Sequence, residues 1–299
     1  MNDRLGVVGT VFFGLGAVLQ LIPQISGRDA VLGWPGALVL IAGGACLVVA
    51  QHRAAERRGT PALPPADPVR TSLRRICLLG APLVLVGIEI FHPLGFTDEL
   101  YPVLSRPGFL YFGPWWFSTL HFIQTPMVGI IAAGLLLLLA GLSGLWAWVA
   151  RGAALVWLVY YTVLDSIQGI FLGWVIAKSL DQPVETQRFV ATLTQDMYTD
   201  RVIGGVSSVV SLTGSWAFLV AAIAAALALA QRGAPLWPLL ALVLAGQIIQ
   251  MSHAHPYGPV GFSLVFLAAL GLERWLARQP AAPVVKDAAG VGTPAANSH

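Results

Sequence analysis

Charge is what this chain has least of: Asp, Glu, Lys and Arg together make up 10% of its 299 residues. Soluble domains carry about 25%, so a water-soluble globular fold is excluded. Cysteine is almost as scarce, with Cys46 and Cys77 alone. That excludes a disulfide framework, a Cys-x-x-Cys redox motif and covalent haem attachment through Cys-x-x-Cys-His. Both cysteines read as small apolar side chains near one membrane face. No alternating ten-residue pattern of the barrel kind is present. No small-x-small cleavage site precedes Pro23, and the N-terminus holds one arginine, Arg4. The first apolar stretch is therefore expected to remain as a membrane helix and not to leave as a signal peptide. Neither His-Glu-x-x-His nor His-x-x-x-His occurs, so no helix by itself supplies two metal-binding histidines.

What is abundant is apolar. Hydrophobic residues make up 57% of the chain, and the mean hydropathy is +0.75. Eight apolar runs stand out, over 5–22, 31–50, 75–92, 115–141, 152–177, 202–230, 235–254 and 258–277. Each is about 18 residues or longer, the spanning length of a helix in a bilayer. Backbone groups in lipid must be satisfied within the segment, which selects helices. The expected fold is all-α, a polytopic transmembrane bundle of about eight helices forming a single domain over 1–278. Residues 51–72 read as a Pro-, Ala- and Arg-rich linker touching anionic headgroups. Residues 279–299 are too poor in large side chains to order themselves.

The net charge of +3 does not point to nucleic acid, because the basic residues sort by loop. With the N-terminus in the cytoplasm, twelve of the 17 Lys and Arg fall on the cytoplasmic side. The positive-inside rule then puts both termini in the cytoplasm. The expected location is the plasma membrane, with lipids as the surrounding partner. Two longer outer loops result, 93–114 and 178–201. The first carries Phe96, Tyr101, Phe109, Tyr111 and Phe112 before the Trp115–Trp116 pair. It reads as an interfacial loop, with a cap over a cavity as the alternative. Within the second, Pro183 and the spacing of Val190, Leu193 and Met197 predict a short interfacial helix over 183–200.

Against this apolar background a few polar residues are conspicuous. Glu89 and His92 close the third run; His121 and Gln124 begin the fourth; Asp165 and Gln168 lie deep in the fifth. Gln247, Gln250 and His253 run down the seventh, and His255 follows. Four of the pairs have i, i+3 spacing, which puts both members on one helix face. A carboxylate such as Asp165 costs about 2.5–3.5 kcal/mol at the centre of a spanning helix, so it needs a partner or a task. Gly169 and Gly173, a small-xxx-small pair, let a neighbouring helix come close. The simplest arrangement is a polar cavity open to the extracytoplasmic side.

Four readings of that cavity stay open. The first is a transition-metal site (Zn, Fe or Cu) with His92, His121, Asp165 and His253 or His255 as ligands, and Glu89 as acid/base. It would serve a metal-dependent enzyme acting on a lipid or small apolar substrate. The second is non-covalent haem held by His121 and His253. The third is a proton-coupled small-solute transporter titrating Asp165. The fourth is a structural network of interhelical hydrogen bonds, in which Gln124, Gln168 and Gln250 are glue. The serines between Ser207 and Ser215 read as small residues at a helix interface.

The combination of Phe91-His92-Pro93, Trp116 with His121-x-x-Gln124, Tyr161-x-x-x-Asp165-x-x-x-Gly169-Ile170-x-x-Gly173 and His255-Pro256-x-Gly258-Pro259 resembles a group of uncharacterised bacterial multi-pass membrane proteins. The resemblance covers residues 85–275 and implies a topology but no activity. A fainter similarity is to membrane zinc hydrolases of the alkaline ceramidase type, which combine histidines and an aspartate on several helices. The chain departs from that pattern: it offers His253-x-His255 where they close with His-x-x-x-His, and it has no matching Ser-x-x-x-His.

Overall fold

A computed structural model describes residues 4–26, 29–58, 67–93, 99–108, 110–205 and 207–279. Phe96, Phe109, the linker core 59–66 and the tail beyond Gln279 lie outside these. The described residues form ten helices and no β-strand. In chain order they are α1 (Arg4–Ser26), α2 (Asp29–Arg58), α3 (Pro68–Glu89), α4 (Leu100–Ser105), α5 (Pro114–Leu138), α6 (Leu145–Ser179), α7 (Val184–Thr199), α8 (Val209–Ala230), α9 (Leu236–Met251) and α10 (Tyr257–Ala277). All but α4, α7 and α9 are long and apolar enough to cross a membrane. Seven such helices thus stand where eight runs were expected. The odd one, α9, has 16 residues. That is about 24 Å at 1.5 Å per residue, against an apolar layer of about 30 Å. Its end is fixed at Ser252, where the backbone is already extended, at φ −169° and ψ 146°.

Several helix ends differ from the apolar runs for local reasons. The linker expected over 51–72 is partly helical: α2 runs on to Arg58, and α3 starts at Pro68. There Asp67 caps the start by accepting from the Val69 amide at 2.9 Å, while Pro68 needs no partner for its missing N–H. Likewise α8 starts seven residues later than its apolar run. Ser208 is the cap, accepting from the Ser211 amide at 3.0 Å. The chain before it is held in a turn by Asp200, which accepts from Val202 and Ile203. In α7 the inward face is Val190 and Thr194, both buried, while Leu193 faces out.

The most enclosed helix is α8, with 78% of its apolar window buried. Alanine dominates its inner half, so α2, α6 and α9 can all approach it closely. At the periphery α1 packs mainly on α2. There Gly16 faces the Leu40 backbone and Gly43 faces the Phe13 backbone, each so close that a Cβ would overlap main-chain atoms. At one end of the bundle Glu273 of α10 accepts from both Arg74 and Arg75 of α3. At the same end Arg151 donates to the carbonyls of Leu139 (2.6 Å) and Leu142 (2.8 Å), closing the turn between α5 and α6.

The opposite end is covered by α4 and α7. Leu100, Leu104 and Tyr111 pack with Phe117, Leu172, Ile176 and Val190 in an apolar cluster of their own. The Leu100 amide donates to Gln195 (2.9 Å), the Tyr111 hydroxyl donates to the Leu104 carbonyl (3.0 Å), and Tyr101 pairs with Ser179 (2.8 Å). Leu100, Leu104 and Tyr111 of the segment over 93–114 are therefore packed on protein, while Val103 and Phe112 are exposed.

Candidate metal centre

Three histidines meet below this cover. His92 follows the end of α3, His121 lies two turns into α5, and His253 follows α9. One nitrogen from each lies within 4.8 Å of the others. Their rings meet edge to face, with centroid separations of 5.2 Å (His92–His121), 5.3 Å (His92–His253) and 6.1 Å (His121–His253). Three imidazoles on one tetrahedral ion with bonds of 2.0–2.1 Å have centroids about 5 Å apart. Two of the three separations match that value, and the third closes with a shift of about 1 Å.

The backbone fixes which nitrogen is offered. His92 Nδ1 lies 2.9 Å from the Pro93 carbonyl, and His121 Nδ1 lies 2.8 Å from the Phe117 carbonyl. A carbonyl only accepts, so Nδ1 carries the proton in both rings and the Nε2 lone pair is left free. The buried Nε2 of His92 indeed has no protein partner. A second hydrogen bond that sets the tautomer is the usual support of a metal-binding histidine.

Local sequence explains the positions. Gly169 carries no Cβ, and one built there would lie 2.1 Å from His121 Cγ. The imidazole thus rests against the bare backbone of α6. Gly173 one turn on does the same for Ser118 and Pro114 of α5. Asp165 to Phe171 form a π-helical stretch within α6, a widening of the helix that often marks functional sites. It begins at Asp165, and Gly169 lies inside it.

The histidines, Asp165, Gln168, Gly169 and Tyr198 line one cavity of about 160 Å³. Both Asp165 oxygens are buried without a hydrogen-bond partner, as are both of Glu89. The two carboxylates and Tyr161 are near enough to act on one another electrostatically, and the Tyr161 ring touches His253 at 5.4 Å. Tyr198 comes from α7, outside the spans, and its ring packs over Gly205. Burial pushes its phenol up to about 12, so it meets the cavity as a neutral hydroxyl.

Other residues singled out in the sequence go elsewhere. Asp165 and His255 do not join the three clustered nitrogens. Gln168 donates to the carbonyls of Met197 (3.1 Å) and Ile203 (2.8 Å), tying α6 to the segment after α7. Gln124 is fully buried, with both amide atoms unpaired. Gln250 belongs to an amide cluster with Gln247, Gln20 and Gln24. Gln20 and Gln24 lie on α1, where their only distinguishing mark in the sequence was an amide in an apolar run. No protein-family model, curated protein or solved structure matches the chain.

Proposed function

We propose that the chain is a metal-dependent membrane enzyme holding its ion through His92, His121 and His253. The observation that carries this reading is the convergence of three imidazoles, two of whose rings are held at Nδ1 by backbone carbonyls in the tautomer that frees Nε2. Three histidine ligands with the fourth position open form a known catalytic zinc pattern. An ion so held would supply Lewis acidity at that position. The chain's own contribution is the carboxylate. Asp165 lines the same cavity without any protein partner, which suits a proton acceptor better than a structural group. Glu89, buried nearby, would hold or exchange that proton with Asp165. The surrounding bundle is apolar, which favours a lipid or small apolar substrate.

The haem reading has less support. The three rings touch one another, and the cavity of about 160 Å³ is below the 300–1,000 Å³ range of pockets for larger ligands. A purely structural network would pair its buried groups, yet Glu89 and Asp165 stay unpaired. We further read the basic end, with Arg74, Arg75 and Arg151, as cytoplasmic and the histidine end as extracytoplasmic in the plasma membrane.

The test is elemental analysis and an absorption spectrum of protein purified in mild detergent. One zinc, iron or copper per chain, lost in His121→Ala, is expected. A colourless protein that holds no metal and takes up none on reconstitution overturns the reading, and a Soret band replaces it with haem.

A further inference from the structure

A second cavity, of about 240 Å³, adjoins the histidine chamber. Leu164, Gly205, Ser252 and His253 line both and form the wall between them. The far walls are unusual for a membrane bundle. Gln20 and Gln24 of α1, Gln250 of α9, Ser207 just before α8, and Ser211 and Ser215 within its first two turns all line it. Half-exposed Trp34 lines it as well. Among the described residues no Asp, Glu, Lys or Arg lines it.

The amide cluster is ordered. Gln24 Oε1 accepts from Trp216 Nε1 (2.9 Å) and from Gln250 (3.4 Å), and Gln250 Oε1 accepts from Gln20 (2.7 Å) and Gln247 (3.0 Å). With the Gln24 oxygen occupied on both sides, its NH2 is the half left to donate. An ionic headgroup would lie here without a counter-charge in apolar surroundings. A bare hydrocarbon would leave the Gln24 NH2 without an acceptor. An uncharged group rich in hydroxyls satisfies both conditions. At roughly 30 Å³ per water, the space holds about eight waters, enough for a glycerol or sugar moiety.

We propose that this cavity binds a neutral, hydroxyl-bearing headgroup, lipid-borne or free, and presents the bond beside it to the histidine chamber. The proposal rests on the metal-enzyme reading for its chemistry but not for its binding.

The experiment is equilibrium binding of tritiated 1-oleoylglycerol to the full chain in a detergent without sugar groups, with ion content measured on the same sample. Saturable binding at one per chain is expected. Oleate and oleylamine, with the same tail and a charged head, should compete at least tenfold less well than unlabelled 1-oleoylglycerol. Competition by free glycerol marks a free polyol as sufficient, and its failure to compete marks the lipid as the source. Ser211→Leu, which fills the cavity, and Gln24→Leu, which removes its donor, should each weaken binding at least tenfold with ion content unchanged. Two variants are used so that one poorly folded protein does not decide the outcome. Equal competition by oleate, or unchanged binding in both variants, overturns the proposal. Binding in a protein that takes up no ion overturns the metal reading alone. A loaded protein that binds none of the probes overturns this inference alone.

Discussion

Gly169 decides where His121 can be. A methyl group there would overlap the ring at 2.1–2.5 Å, and the ring is pinned on its other side by the Phe117 carbonyl. Gly169→Ala is therefore expected to displace the imidazole and weaken metal retention at least tenfold. Its melting temperature should fall by only a few degrees, as for a small overpacking cost of about 1–3 kcal/mol. Elemental analysis after dialysis against a weak chelator, beside a melting curve, separates the two effects. At the rim, the amides of Ile203 and Val202 hold the Asp200 carboxyl below the usual carboxylate range. A depressed acid lends order above its ordinary pKa, about 3.9, and loses it as pH falls through the lower folded value. Protection of the Val202 and Ile203 amides relative to their intrinsic exchange rates should hold at neutral pH and fall only at strong acid. In Asp200→Asn, with no charge to titrate, that pH step should vanish. At this scale the sequence was informative where polarity was rare: His92, His121 and His253 stood out because little else polar lay in those runs. Gln20 and Gln24 did not stand out, since an amide gives no sign of its partner. The serines at the start of α8 were read only as small, yet Ser207, Ser211 and Ser215 line a cavity.

Among the elements, α6 shows most clearly what composition hides. Its length and apolarity were legible, but the π-helical stretch from Asp165 to Phe171 changes hydrogen-bond register and leaves no mark in residue type. A π stretch amounts to one extra residue in an α-helix. Removing one, at exposed Ser166, should restore α geometry and turn Asp165 about 100° relative to Gly169, from 3.6 residues per turn. The deletion variant is expected to insert and fold, but to lose either the Asp165 lining or the His121 seat, and with it ion binding. Circular dichroism unchanged beside a metal-free protein is the expected pair of results; an ion retained at full stoichiometry would show that the register does not matter. The end of α9 was not legible at its own position: its apolar run continues to 254, whereas the backbone is already extended at Ser252, four residues before Pro256.

For the whole molecule, the two ends are chemically opposite. At the basic end, Glu273→Gln would leave part-buried Arg74 without its counter-charge. Breaking a fully buried pair costs about 3–5 kcal/mol, and with both arginines reaching solvent the loss should be smaller, so a fall in melting temperature of a few degrees is expected with the distant ion content intact. This pair was not legible beforehand, because Glu273 sits near the end of its apolar run and nothing in the sequence names Arg74 and Arg75 as its partners. Orientation is tested by single cysteines in a Cys46→Ala, Cys77→Ala background. Asp181→Cys should react with a membrane-impermeant maleimide in intact cells, and Arg232→Cys only after lysis. The reverse pattern would turn the molecule over and put the histidines on the cytoplasmic side.

The pairing of α3 with α10 carries a mechanical consequence. At one end Arg74 and Arg75 grip Glu273. At the other, Gly258 faces Glu89 so closely that a Cβ built there would lie 3.3 Å from the Glu89 Cβ, and His92 meets His253 a few residues ahead of α10. Tied at both ends, the two helices should travel as one body, so a motion that shifts Glu273 at the basic end would carry Glu89 and His92 with it at the other.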